Sequence, residues 1–99
     1  MNTLLFNFEE ITPQEINKGI AARIRAVRKR RSISQIRLSE KSGVSLGSVK
    51  RFESTGEISL LSLTKIAIAL ECEQELKNLF SDVPYLTLEE VENANRNQN

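Results

Sequence analysis

Apolar residues recur every three or four positions at Ile16, Ile20, Ile24 and Val27, which predicts one face of a helix turned toward a core. Immediately before this stripe stands Thr12-Pro13-Gln14-Glu15. A cap hydroxyl, a proline at the first helical position and a glutamate three residues after the cap form the pattern of a capping box. The helix is expected to run to about Arg31. A second helix is capped by Ser34 and turns Leu38 inward. Gly43 ends it, because a left-handed C-cap favours a residue without a Cβ. Ser45 caps a third helix with Val49 and Phe52 inward. After the loop 54–58, Ser59 caps a fourth, with Leu60, Leu63, Ile66, Ala67 and Leu70 at helical spacing. A fifth short helix over 73–80 offers Leu76, Leu79 and Phe80 to the core. Ser81-Asp82-Val83-Pro84 breaks the pattern, and Thr87-Leu88-Glu89-Glu90 is a second capping box opening a short acidic helix to about Ala94.

The pattern divides the 99 residues into an N-terminal apolar arm (1–11), a helical domain (12–80) and a C-terminal extension (81–99) with a short helix and a polar, frayed tail. In the arm Phe6 and Phe8 flank Asn7 in a strand-like alternation, so it is expected to pack on the domain or to pair with a second subunit. The fold class is all-α.

Charge changes the picture more than composition does. The formal net charge is +1, yet Lys18, Arg23, Arg25, Arg28, Lys29, Arg30, Arg31, Arg37, Lys41, Lys50 and Arg51 share the window 18–51 with a single acid, Glu40. That window carries +10 and its flanks are acidic, the electrostatic footprint of a nucleic-acid partner. The chain has no histidine and one cysteine, which excludes a zinc finger and removes the commonest general acid/base at neutral pH. No phosphate-cradling glycine loop and no catalytic carboxylate pair stand out, so neither enzymatic activity, nor a cofactor, nor a metal is expected. Cys72 beside an apolar helix pattern reads as a buried structural thiol. No apolar run approaches the roughly 20 residues of a membrane span, and the first residues lack the regions of a signal peptide. A cytoplasmic location with no membrane role is the expectation.

Two short helices joined by a glycine turn, within the most basic part of the chain, are how a small protein places one helix in the major groove while another braces it. Over residues 19–80 the phrases IAARIRAVRKRRSISQIRLSEKSGVS and SVKRFESTGEISLLSLTKIAIAL resemble the Xre/Cro-like helix-turn-helix family. The small Ser39, the turn at Gly43 and the apolar Val49 and Phe52 stand where that family packs its two helices. The resemblance implies a five-helix phage-repressor-like domain. It implies that Gln35 contacts a phosphate at the start of the second helix and that Ser34 and Ser54 touch the DNA backbone. Ser45, Leu46, Gly47 and Ser48 would open the recognition helix toward base edges. Arg51 would reach a guanine edge, and Lys50 would hold a phosphate. Arg28 and Glu53 match a family pair that bridges the first helix to the end of the recognition helix.

Leu46 and Gly47 occupy positions where the family often has glutamines, so direct readout is expected to rest on Arg51 and the serines, with DNA shape supplying the remainder. A glycine inside so short a helix costs about 1 kcal/mol relative to alanine, which suggests that another molecule comes close to the backbone there. Glu57 lies in a loop that is often basic in the family and would repel phosphate. The function expected is a sequence-specific, double-stranded DNA-binding transcriptional regulator, a repressor acting as a homodimer on a palindromic operator. The alternative is an antitoxin of a Hip-type toxin–antitoxin module that also binds a kinase-like toxin, which residues 51–71 resemble.

Overall fold

The structure, a computed structural model, describes residues 11–97. Among these residues there are six α-helices and no strand: α1 (Pro13–Arg30), α2 (Gln35–Ser42), α3 (Leu46–Thr55), α4 (Leu60–Ala69), α5 (Glu73–Lys77) and α6 (Leu88–Arg96). The expected N-terminal arm lies almost wholly outside the described residues.

The chain's hydroxyl residues start the helices where their spacing predicts. The Thr12 side chain accepts from the Glu15 N–H while the Glu15 carboxylate accepts from the Thr12 N–H, completing the capping box of α1. Ser34, Ser45 and Ser59 each accept the N–H three residues on, at 3.0, 3.2 and 3.0 Å. The second box is only half formed. Thr87 accepts from the Glu90 N–H, but the Glu90 carboxylate reaches past the cap to the N–H of Leu86. Gly43 ends α2 at φ 78° and Gly56 ends α3 at φ 84°, both left-handed. Gly56 has a second reason to be glycine: a Cβ there would lie 2.8 Å from the backbone of Asn17 and Lys18 on α1. The sequence pattern reads it only as loop.

Helix α1 lies mainly against α3, α2 packs on α3 and α4, and α5 continues from α4. Leu38, Val44, Val49, Phe52, Ile66 and Leu70 are buried at their meeting point together with Ala21. The single methyl of Ala21 lets α1 come close, whereas the larger Ile20, Ile24 and Val27 are only partly covered. Four residues expected in the core are exposed: Ile16, Leu60, Leu79 and Phe80. Ile16 and Leu60 both lie in the first turn of their helices. Leu79 and Phe80 leave the core because α5 stops at Lys77 and the backbone turns left-handed at Phe80, which takes both side chains out of helical phase. No helix of the described residues is long and apolar enough to cross a membrane.

Candidate nucleic-acid interface

The turn between α2 and α3 is three residues, Gly43, Val44 and Ser45. Val44 is buried and anchors it from below, so the first turn of α3 is held on the surface. Ser45 caps α3 and also donates to the Ser48 hydroxyl at 2.9 Å. Val49 and Phe52, one turn apart on the opposite side, are fully buried. Leu46 is half-buried, whereas Gly47, Ser48 and Lys50 are exposed. The Leu46 and Gly47 N–H groups precede the first intrahelical bond and donate to no cap, so they point outward with the positive end of the helix dipole. Nothing lies within 4 Å of where a Gly47 Cβ would sit, and its φ is not left-handed, so no contact within the protein requires glycine there.

One buried carboxylate locks this helix to the others. Arg28 donates to both Glu53 oxygens, from Nε at 2.7 Å and from Nη2 at 2.9 Å, and its Nη1 donates to the Ile33 carbonyl at 2.8 Å. The Arg28 and Glu53 side chains are only 8% and 4% exposed, so the pair is the buried kind and not a surface pair. Gln35 joins it, donating from Nε2 to Glu53 at 3.0 Å, and Arg25 stands at 3.8 Å on the exposed side. Burial by itself raises the Glu53 carboxyl; hydrogen bonds from Arg28 and Gln35 and the charges of Arg28 and Arg25 outweigh it and hold the carboxyl below its ordinary value. The Gln35 amide is therefore engaged with α3. A phosphate at the start of α2 would meet the backbone N–H groups of Gln35 and Ile36, not that side chain.

The basic window disperses once folded. Arg51 and Glu57, six residues apart across the Gly56 turn, form an exposed ion pair, with Arg51 Nε donating to Glu57 Oε1 at 3.1 Å and Nη2 closing on the same oxygen. Glu57 is thus the partner of the arginine expected to read a base, an arrangement that the left-handed glycine between them makes and that spacing alone does not reveal. Arg37 pairs with Glu40 on α2. Arg31 donates to the Leu70 carbonyl at the end of α4, where a cation also meets the negative end of the helix dipole. Among the described residues Lys50 takes part in no ion pair. Ser54 is exposed and donates to the Arg51 carbonyl at 3.2 Å. Cys72, expected to be buried, is only partly so; that burial still pushes its thiol up, opposed by Arg31 and aided by Glu73 and Glu75.

A capped helix held on a three-residue turn, its inner face buried and its first turn bare, defines a helix-turn-helix DNA-binding domain. A helix-turn-helix family model matches residues 24–73, from the middle of α1 to the start of α5, and the chain belongs to this Xre/Cro-like family. It is accordingly a DNA-binding transcription regulator whose partner is double-stranded DNA. No individual curated protein matches the chain.

Proposed function

We propose that this regulator is a non-catalytic, sequence-specific repressor that acts in the cytoplasm as a homodimer on a palindromic operator. The uncovered first turn of α3 carries this reading, because its open N–H groups and bare Gly47 let the helix approach the groove floor or a phosphate more closely than any side chain would permit. Leu46 offers apolar contact to a thymine methyl, while Ser45 and Ser48 contact base edges. Lys50, Ser34 and Ser54 hold the sugar-phosphate backbone, and Gln35 does so through its N–H. Arg51 exchanges Glu57 for a guanine edge on binding. One such domain covers only a half-site, so specific binding takes two copies.

A footprint on the DNA upstream of the protein's own gene tests this reading. The expected result is two protected half-sites about 34–36 Å apart along one face of the duplex. A single short footprint would overturn the dimer, and protection indistinguishable from that of random DNA would overturn the specificity.

The second reading is the antitoxin. It is supported by the resemblance of residues 51–71 and by the apolar face of α6, a helix that is none of the elements assigned to DNA. Co-purification of a kinase-like protein encoded beside this gene would establish it, and a mixture that forms no complex would sink it.

A further inference from the structure

We propose that α6 of a second copy seats in the groove between α1 and the α4–α5 arm, and that the exchange is reciprocal. The inference rests on the dimer proposed above and names its contact.

Two apolar surfaces of this chain lack a partner among the described residues. The first is a groove of about 670 Å³ walled by Ile20, Ile24 and Val27 of α1 on one side and by Leu63, Leu76 and Leu79 on the other. The second is α6 with the segment leading to it. None of its residues is buried, and Val83, Tyr85, Leu86 and Leu88 are all exposed, Leu86 and Leu88 by 83% and 82%. Monomeric proteins rarely leave clustered apolar side chains of this size in water. Within α6, Leu88, Val91 and Ala94 follow one another at spacing three and share a face, with Glu90 and Glu92 flanking it.

The charges match. Arg23 and Arg30 of α1 and Arg31 just after it line one side of the groove, while α6 carries Glu89, Glu90 and Glu92. Glu71 and Glu75 also line the groove, at its α5 end, and α6 ends in Arg96. A helix laid with this apolar face in the groove can set its Glu90 flank against the arginines, while its other flank, with Glu92 and Arg96, meets the wall with Glu71 and Glu75. None of the α6 residues lines the groove of its own chain. Exchange between two copies buries both surfaces twice, as a two-fold contact requires. Nothing in the contact uses α3, so the recognition helices of both copies stay free.

Sedimentation of the full chain without DNA tests the contact. The wild type is expected to be a dimer, and L88E/V91E a monomer of unchanged helicity whose thermal midpoint no longer depends on protein concentration, because α6 supports no core residue. Two charge variants make the pairing specific. R23E/R30E and E90R should each be monomeric, since groove and helix then carry like charge. Mixed together they should form a heterodimer, in which each groove meets a helix of opposite sign. A monomeric wild type overturns the proposal, as does an L88E/V91E protein that remains dimeric. A shift assay on the operator with the same proteins separates the two levels. Dimeric L88E/V91E that still occupies both half-sites leaves the dimeric regulator standing and removes only this contact, whereas a wild type that is dimeric yet ignores the operator does the reverse.

Discussion

Glu53 sits where the last turns of α3 meet α1 and the start of α2, and its carboxylate is the common acceptor for Arg28 and Gln35. Replacing it with glutamine leaves the Arg28 charge buried without a counter-ion. The expected loss is about 3 kcal/mol or more, read by urea unfolding. The pH dependence has a definite sign. The native carboxyl is held below its ordinary value of 4.5, so the unfolded chain binds the proton more tightly. The pair therefore contributes fully above that value, and its contribution is lost as pH falls through the native one. Unfolding midpoints measured from neutral to acid pH should decline in the wild type and less so in E53Q. Gly47 makes the opposite kind of prediction. With open space around it, G47A should stabilise the protein by about 1 kcal/mol through helix propensity alone. The same methyl should weaken operator binding in a shift assay, because it stands where the groove must approach. Tighter binding by G47A would mean that DNA does not approach the backbone at this glycine.

At the level of the element, α3 holds its two cations differently. Lys50 is exposed without an ion pair, while Arg51 is already neutralised by Glu57. K50A should weaken binding to all DNA sequences alike and lower the salt slope by about one unit. E57Q should release Arg51, strengthen binding and steepen the same slope. A salt titration of both variants checks this, and an unchanged E57Q would mean that the pair persists on DNA. The helices also differ in how far their fates could be read. The caps at Thr12, Ser34, Ser45 and Ser59 and the left-handed Gly43 were legible because they are local: a side chain meets an N–H three residues away, or a backbone angle excludes a Cβ. The Glu53 pair was legible only through family resemblance. The Arg51–Glu57 pair was not, since it depends on the direction the chain takes after Gly56. Ile16, Leu60, Leu79 and Phe80 fit a periodic pattern yet are exposed, because periodicity marks a face of a helix without saying whether a neighbour reaches it.

Across the whole molecule, the basic window behaves as several separate charges. Arg28 is buried, Arg37 and Arg51 are paired on the surface, and Arg23, Arg30 and Arg31 line the groove between α1 and the α4–α5 arm. A local charge of +10 in the sequence thus overstates what the recognition helix presents to DNA, and part of it is available to the acidic α6. By itself the sequence determined the all-helical class, the start of each helix, the glycine turn and the family. These follow from interactions spanning a few residues and from the three-to-four-residue period of the apolar positions. Tertiary structure alone decided which cations are free, which carboxylate each one meets, and which apolar faces remain uncovered. Those outcomes depend on residues far apart in the chain, brought within a few ångströms by the packing of α1 across α3 and by the early end of α5.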